Sequence, residues 1–277
     1  MNIVIIGYGS IGKRHARNLK SLGATVRSID TDEIDNADKI LAEAKFDLGL
    51  VCTPTNLHLQ HALLLAKHGI HFFCEKPLYV KKDKALLDEL YRHVRSKNLI
   101  NMVGCNLRFH PVINALKNNV FKGTEQIKIF FGYDLRKWHN DGKHLQLYSA
   151  NKSMGGGITF DAIHEFDYIS YVLGPIERMD ITQSRVGEVT VDTEDLVKGY
   201  IYIKNGIKVD IHLDYLSEKY QRYFIIDGEI THITPNNDMY IKEMEYLLNN
   251  INDKRYCMND ILEASDLIDC INRGIKR

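Results

Sequence analysis

The first twelve residues constrain the fold of this chain more than any other stretch. Residues 3–6 are apolar and predict a short buried strand, and Gly7, Gly9 and Gly12 follow in the order G-x-G-x-x-G. A helical pattern begins at once. In a unit of strand, glycine turn and helix, the first glycine permits a tight turn and the second lets the backbone approach a phosphate. The third glycine lets the helix pack on the strand. The stretch therefore predicts a pyrophosphate site at a helix N-terminus.

An acidic residue follows where the ribose of a nucleotide would need it. Asp30 ends the next apolar run, 18 residues beyond Gly12. Its carboxylate can accept hydrogen bonds from ribose hydroxyls and repels a 2′-phosphate, so we expect NAD, with NADP less favoured. A glycine turn without a ligand is the alternative. The loop residues predicted to contact the cofactor are Gly7, Gly9, Ser10, Ile11 and Gly12.

The composition is that of an ordinary folded protein. The 277 residues allow one large domain or two ordinary ones, and 36 basic residues balance 36 acidic ones. Without a basic excess we expect no nucleic-acid partner. The chain has no apolar run of membrane-spanning length and enters a strand directly, so we expect neither membrane association nor export. Five cysteines without a C-x-x-C pair predict reduced thiols in a cytoplasmic protein.

The order of predicted elements changes near residue 118. Up to about residue 110, buried strands alternate with amphipathic helices, which predicts β-α-β crossovers and a parallel sheet. Beyond it, residues 158–173 read as one helix, and most of 176–234 reads as strands, with a hairpin at Asn205-Gly206. We therefore predict an α/β fold with a dinucleotide-binding domain over 1–118. An α+β domain over 119–277 would contain an open, mostly antiparallel sheet and two final helices.

Polar residues follow two of the predicted parallel strands, at the carboxyl ends where open sheets bind ligands. With the intervening Pro54, they are Thr53, His58, Glu75 and Lys76, and we expect all five to contact the cofactor. Lys76 directly follows a buried strand, and a lysine beside a cofactor can exchange protons and polarise an oxygen. A solvated lysine at a strand end is the alternative. The sequence leaves open whether the Lys76–Pro77 bond is cis.

A second polar group lies on the predicted helix behind the glycine triplet 155–157. Spacings of three, four and seven place Asp161, His164, Glu165 and Tyr168 on one helical face, apart from the apolar stripe. Three glycines bring backbone close to another group, which favours a functional face. A solvated face, or a buried histidine paired with a carboxylate, is the alternative. No second histidine has ligand spacing on this helix, so we predict no metal site.

Other polar and aromatic residues fall between the two predicted halves and suit a cleft of the size of a sugar. They are Arg108, His110, Trp138 and His139. Aromatic residues in such a position are as often part of the core.

These motifs together resemble the Gfo/Idh/MocA family, the group of glucose-fructose oxidoreductase and inositol dehydrogenase. They run in order over nearly the whole chain: Gly7-Tyr-Gly-Ser-Ile-Gly12 with Arg14-His15, Thr53-Pro54 with His58, Glu75-Lys76-Pro77, Arg108-Phe-His-Pro111, and Gly155-Gly-Gly-x3-Asp161 followed by His164. The resemblance implies an N-terminal Rossmann domain and a C-terminal domain whose open sheet mediates homo-oligomers, which we expect to be dimers or tetramers.

The same resemblance implies NAD(P)-dependent hydride transfer on a small-molecule sugar or related polyol. It makes Lys76 the catalytic lysine, Asp161 the substrate-binding acid and His164 the proton-transferring histidine. The spacing Asp161-x-x-His164 is one residue shorter than the family's usual Asp-x-x-x-His. The run 148–168 resembles a subgroup associated with bacterial surface-sugar biosynthesis. Two alternatives are an enzyme that recycles bound NAD during glycoside cleavage or epimerisation, and a non-enzymatic NAD sensor.

Overall fold

The structure is a computed structural model that describes residues 1–119, 121–123, 125–138 and 142–276. The chain forms two compact units. The first consists of Met1–Asn106 and Asn237–Ser265. The second consists of the described residues from Leu107 to Asn236 and from Asp266 onward.

The first unit contains a sheet with strands β1 (Asn2–Ile6), β2 (Thr25–Ile29), β3 (Leu48–Val51), β4 (His71–Cys74) and β5 (Asn101–Val103). Their order is β2-β1-β3-β4-β5, and every neighbouring pair is parallel, which confirms the predicted sheet. The side chains of residues 3–6 are fully buried. Burial on both faces explains why these strands read as continuous apolar runs.

Helices connect these strands as predicted: α1 (Ser10–Ser21), α2 (Ala37–Glu43), α3 (His58–Lys67) and α4 (Lys84–Ser96). Helix α1 buries Ala16 and Leu19 on one side, which is the apolar face that its sequence pattern predicts. Asp83 caps α4 by accepting a hydrogen bond from the Leu86 N–H over 3.1 Å.

The second unit contains helices α5 (Pro111–Lys117), α6 (Ile158–Asp161) and α7 (Ile163–Leu173). Its strands are β6 (Ile127–Gly132), β7 (Ile176–Ser184), β8 (Leu196–Ile203), β9 (Lys208–Asp214), β10 (Gln221–Ile226), β11 (Glu229–His232) and β12 (Ile275–Lys276). Within the described ranges they form a seven-stranded sheet in the order β11-β10-β6-β9-β8-β7-β12.

This second sheet is mixed, and most of its pairs are antiparallel, as expected. Strands β6 and β9 are parallel, as are β7 and β12, whereas the other neighbours are antiparallel. The hairpin predicted at Asn205-Gly206 joins β8 to β9, and Gly206 has the positive φ that such a turn requires. Strands β11 and β12 were not predicted, since four and two residues show too little alternation to detect.

The single helix predicted over residues 158–173 is wrong: the structure has two. Helix α6 ends at Asp161, and Ala162, with φ −93° and ψ 29°, separates it from α7. The hydrogen bond from Glu165 N to Ala162 O reaches back only three residues, so the register changes between Asp161 and His164. A shared face cannot therefore be deduced from ideal helical spacing at this point.

The last part of the chain returns to the first unit, whereas the sequence analysis assigned all of 119–277 to the second domain. Helix α8 (Asn237–Asn252) packs on α1, and α9 (Ile261–Gly274) begins in the first unit. The buried Glu243 of α8 accepts a hydrogen bond from the Cys105 N–H over 2.7 Å. Such contacts join residues far apart in sequence, so local patterns carry no signal for them.

In the ranges that the structure covers, no helix combines the length and the apolar character that crossing a membrane requires.

Candidate active site

The glycine loop has the conformation that its sequence predicts. Gly7 has φ +93°, and a Cβ on Gly12 would lie 2.2 Å from the Gly7 carbonyl oxygen, so both positions require glycine. A Cβ on Gly9 would meet no atom within 4 Å. The N-cap residue Gly9 has no side chain that could cap α1, and residues 10–13 include no acidic residue. The open space at Gly9 suits an anion at the helix N-terminus.

Asp30 lies beside this loop. It directly follows β2, and its Oδ1 accepts a hydrogen bond from the Tyr8 N–H over 3.3 Å. The carboxylate is thereby fixed next to the turn that would hold the pyrophosphate. These residues fit NAD: the turn from Gly9 through Gly12 would hold the phosphates, and Asp30 would hold the adenosine ribose.

The turn after β3 is held by two buried histidines. The ring of His58 lies between two carbonyl oxygens, with Nδ1 2.7 Å from Pro77 O and Nε2 2.8 Å from Thr53 O. Burial lowers the pKa of His58 although both carbonyls oppose this shift. His61 Nδ1 lies 3.0 Å from the hydroxyl of Thr53. His58 thus joins two strand-end loops, and its direct contact with the cofactor stays a prediction.

Thr53 and Pro54 are accessible in this turn, half-buried and exposed respectively. Their position directly beyond β3, the strand next to β1, places them at the carboxyl edge that the glycine loop occupies.

Lys76 lies just beyond β4, next to a hydrogen-bonded pair of His15 and Glu75. The Nε2 of His15 lies 2.7 Å from Oε1 of Glu75, and Oε2 of Glu75 accepts the Lys76 backbone N–H over 3.2 Å. Burial disfavours the charge of Glu75, but the bond and charge of His15 and the charge of Lys76 outweigh it and lower the pKa of Glu75. The Lys76–Pro77 peptide bond, which the sequence left open, is cis.

Asp161 is held by three hydroxyl groups. Its Oδ1 accepts the phenol of Tyr148 over 2.5 Å, and its Oδ2 accepts the hydroxyls of Ser149 and Tyr215, both over 2.8 Å. The side chain of Asp161 is 7% exposed and that of His164 is 9% exposed. The helical face predicted to be polar is therefore buried, which rules out the solvated alternative for these two residues.

Glu165 and Tyr168 serve the packing of the second unit. The fully buried carboxylate of Glu165 has Oε1 2.7 Å from Nε of Arg222, and the Tyr168 hydroxyl lies 3.5 Å from the same oxygen. Burial and the negative charge of Glu165 raise the pKa of Tyr168, so this phenol stays protonated. A buried ion pair of this kind fixes α7 against β10.

Arg108 and His110, predicted from the sequence to bind substrate, both contact other residues of the second unit, and their role in binding stays a prediction. Arg108 forms a two-point ion pair with Asp167, with Nη2–Oδ1 at 2.7 Å and Nε–Oδ2 at 3.0 Å. His110 caps α5: its Nδ1 accepts the Val112 N–H over 3.2 Å, and its Nε2 lies 3.1 Å from the Thr234 carbonyl oxygen.

Trp138 is the remaining residue predicted to line the cleft. Its ring is perpendicular to that of Tyr215, with centroids 5.5 Å apart, and its buried indole N–H has no hydrogen-bond partner among the described residues. The neighbouring His139 lies outside the described residues. An unsatisfied donor beside the partners of Asp161 suits a ligand hydroxyl better than a closed core.

Sequence reasoning missed several residues that shape the site. His15 stood in the family motif without a role, and Ser149, Tyr215 and Tyr240 were not singled out. Their function depends on contacts with residues distant along the chain, such as Glu75 and Asp161. Among the described residues, no group of three or more His, Cys, Asp or Glu side chains is arranged to hold a metal ion.

The fold and the glycine loop together define a dinucleotide-binding Rossmann protein with a second, mixed-sheet domain that carries a buried Asp161 and His164. The chain belongs to the Gfo/Idh/MocA oxidoreductase family. Residues 20–105 match the family's NAD-binding Rossmann-fold model, and residues 126–233 match its C-terminal domain model.

Proteins of related sequence include dehydrogenases and 2,7-anhydro-N-acetylneuraminate hydratases. The chain is 31% identical over 192 residues to a myo-inositol 2-dehydrogenase of Thermotoga maritima, an alignment that covers 63% of this chain and 55% of that protein. The aligned part thus spans only about half of that curated relative.

Two solved structures share the fold over nearly the full length. Levoglucosan dehydrogenase in complex with NADH aligns with a TM-score of 0.82 at 16% identity, covering 99% of this chain and 96% of that one. A UDP-N-acetylglucosamine 3-dehydrogenase from Acidithiobacillus ferrooxidans aligns with a TM-score of 0.77 at 19% identity, covering 99% and 97%. At these identities the likeness concerns the fold.

Proposed function

We propose that this protein is an NAD-dependent oxidoreductase that acts on the CH–OH group of a sugar or sugar derivative. NAD supplies the hydride acceptor or donor. The turn from Gly9 to Gly12 and Asp30 bind it, and Thr53 and Pro54 border it at the same sheet edge.

The observation that carries this proposal is the position of Lys76. It is the second residue beyond β4 in the nucleotide-binding sheet. The carboxylate of the preceding Glu75 is hydrogen-bonded to His15 of α1, the helix whose N-terminus forms the glycine turn. An ammonium fixed beside a cofactor turn can stabilise the negative charge that develops on a substrate oxygen. A sensor would need the glycine turn but not this lysine.

We assign the proton transfer to His164 and substrate binding to Asp161. Imidazole titrates near neutral pH and can both accept and return the hydroxyl proton. Asp161, as a carboxylate, accepts a hydrogen bond from a substrate hydroxyl and orients the sugar ring. Trp138 supports this role, because its buried indole N–H is available to a hydroxyl of the same ligand.

We further propose a nucleotide-linked sugar of surface-polysaccharide synthesis as the substrate, and the cytoplasm as the location. The substrate proposal is supported by residues 148–168, which resemble the subgroup associated with bacterial surface-sugar biosynthesis. The proposed location rests on Cys52, Cys74, Cys105, Cys257 and Cys270, all of which are free thiols. Cell fractionation tests the location.

We also propose that the chain forms a homo-oligomer through the open face of the second sheet. That face exposes large apolar side chains, including Tyr200 at 41% and Ile230 at 56% exposure. Apolar surface of this kind favours association. Light scattering at micromolar concentration should give the mass of a dimer or tetramer, and Ile230→Lys should shift it towards the monomer. A monomer mass for the unmodified chain would refute the proposal.

The proposed activity is tested by incubating the chain with NAD and a panel of sugars while NADH absorbance is followed. The panel includes myo-inositol, levoglucosan and UDP-N-acetylglucosamine. We expect turnover of at least one, with His164→Ala slower by about 10²–10⁴-fold. Sugar conversion without net NADH would support the recycling alternative, and tight NAD binding without any conversion would support the sensor.

A further inference from the structure

The three hydroxyl groups on Asp161 come from two segments that the proposed reaction does not use. Tyr148 and Ser149 belong to a short turn ahead of the glycine triplet, and Tyr215 directly follows β9. Ser149 and Tyr215 are buried. Each hydroxyl lies 2.5–2.8 Å from a carboxylate oxygen of Asp161. We call these three side chains the hydroxyl clamp.

The direction of these hydrogen bonds is settled by chemistry. An ionised carboxylate only accepts, so each hydroxyl must donate. Burial and the negative charge of Asp161 raise the pKa of Tyr215, and this phenol therefore keeps its proton throughout the working pH range. Bonds donated to a carboxylate stabilise its charged form. The hydroxyl clamp thus orients Asp161 and favours its charged form.

The glycine triplet explains how the turn reaches Asp161. A Cβ on Gly156 would lie 2.1 Å from the Tyr148 carbonyl oxygen, and the Gly157 N–H donates to the Ser149 carbonyl oxygen over 3.0 Å. A side chain at Gly156 would push this turn away. The triplet is therefore required for the backbone approach that places Tyr148 and Ser149 on the carboxylate.

We propose that Tyr148, Ser149 and Tyr215 are positioning residues that keep Asp161 an oriented, acceptor-only group for a hydroxyl of the substrate. Asp161 then takes no part in proton exchange, which falls to His164. This inference rests on the proposed function for the identity of the ligand. The hydrogen bonding itself can be tested without a substrate.

The first experiment measures the ionisation of Asp161 directly. The full chain is labelled with ¹³C at its aspartate carboxyls and titrated by NMR, and the Asp161 signal is identified by its loss in Asp161→Asn. Removing one donor should move the Asp161 titration midpoint upward by about one pH unit in Tyr148→Phe, Tyr215→Phe and Ser149→Ala. Ser149→Ala removes the least volume. If a tyrosine variant fails to fold, this variant still tests whether a clamp hydroxyl lowers the titration midpoint of Asp161.

Two matched controls lose a hydroxyl that does not reach Asp161. The Tyr133 hydroxyl donates to Lys137 O over 3.2 Å, and the Thr193 hydroxyl donates to Ser149 O over 3.3 Å. Tyr133→Phe and Thr193→Val should leave the Asp161 midpoint at the wild-type value. An unchanged midpoint in all three clamp variants would overturn the proposal, as would an equal shift in the controls.

The second experiment uses whichever sugar of the panel is converted. Tyr148→Phe should raise KM for that sugar about tenfold, the loss expected for one oriented hydrogen bond, and leave the Kd of NAD unchanged. In the Asp161→Asn background, Tyr148→Phe should have no further effect on KM. An equal effect in both backgrounds would overturn the proposal. If no sugar is converted, the proposed function fails, whereas the NMR titration still decides the hydroxyl clamp.

Discussion

The Nε2 of His15 lies 2.7 Å from Oε1 of Glu75, and the next residue along the chain is Lys76. His15 is completely buried and packs edge-on against Phe73 and Tyr240, with centroids 5.3 and 6.1 Å away. The helix that forms the nucleotide turn is thereby joined to the strand end that carries Lys76. One contact thus couples the position of this lysine to the fold of the cofactor site.

Loss of this contact should destabilise the protein in a pH-dependent way. Because the folded pKa of Glu75 is lowered, its charge contributes stability above its unfolded pKa of about 4.3, and the contribution is lost as pH falls through the lower, folded value. We expect His15→Leu to lower the free energy of unfolding by about 1.5–3 kcal/mol near neutral pH. His15→Gln, which keeps a donor, should lose less. Urea unfolding measures both, and a difference from wild type that grows as pH falls would contradict this account.

Lys76→Ala should affect the chemical step rather than cofactor binding. Removal of a group that stabilises transition-state charge typically costs about 10²–10³-fold in kcat. Because the glycine turn and Asp30 remain, the Kd of NAD should change little. Lys81→Ala removes an exposed lysine five residues on and should keep full activity. Steady-state kinetics and NAD titration separate the two effects, and full turnover by Lys76→Ala would make Lys76 a merely solvated side chain.

Asp30 should determine the choice between NAD and NADP. Its carboxylate follows β2 beside the glycine turn, where it would accept ribose hydroxyls and repel a 2′-phosphate. We expect NAD to bind at least about tenfold more tightly than NADP, a difference of about 1.4 kcal/mol. Asp30→Ser should weaken NAD binding and reduce this preference, whereas the exposed-site control Asp35→Ser should leave it unchanged. Calorimetry gives the six dissociation constants of the three proteins for NAD and NADP, and tighter NADP binding by wild type would reverse the assignment.

His61 should make the protein less stable in mild acid. Burial, with a smaller effect of His58, lowers the pKa of His61 from 6.5 to about 4. As pH falls below about 6.5, His61 binds a proton in the unfolded chain but stays neutral in the folded chain. The free energy of unfolding therefore decreases. Between about pH 7.5 and pH 5 this group should cost about 2 kcal/mol. His61→Gln should unfold with a correspondingly weaker pH dependence in urea, and an unaltered dependence would refute the assignment.

The ion pair between Arg222 and Glu165 should matter far more than an exposed pair in the same sheet. Both side chains are buried, so Glu165→Ala leaves the Arg222 charge without its partner and should cost about 3–5 kcal/mol. The control is Asp180→Ala, which breaks the exposed pair with Arg178 and should cost about 0–1 kcal/mol. Thermal or urea unfolding compares them, and equal costs would show that burial does not control the energy of this pair.

Much of the first unit was predictable because its signals are local. The apolar runs, the G-x-G-x-x-G spacing and Asp30 each depend on residues close in sequence, and the structure has the parallel sheet they predict. The family motifs also identified Asp161, His164 and Lys76 as a set. Their catalytic roles stay predictions until the variants are measured.

The intramolecular partners of the polar candidates could be found only in the structure. From the sequence, Arg108, His110 and His58 look as suitable for ligands as Asp161 does, because composition does not show which carbonyl or carboxylate lies opposite. In the folded chain they contact Asp167, Thr234 and Pro77, and a buried polar group must find such partners.

The sequence by itself determined the nucleotide turn, the cofactor class and the family, because these depend on backbone conformations that particular glycines permit within a few residues. The tertiary structure decided the break at Ala162, the return of α8 to the first unit and the three hydroxyls on Asp161. Each of these depends on contacts between residues far apart in the chain, such as Tyr215 with Asp161 and Glu243 with Cys105. Such contacts form only when distant segments pack together. Hydrophobic periodicity and motif spacing describe residues close in sequence, so they do not predict these contacts.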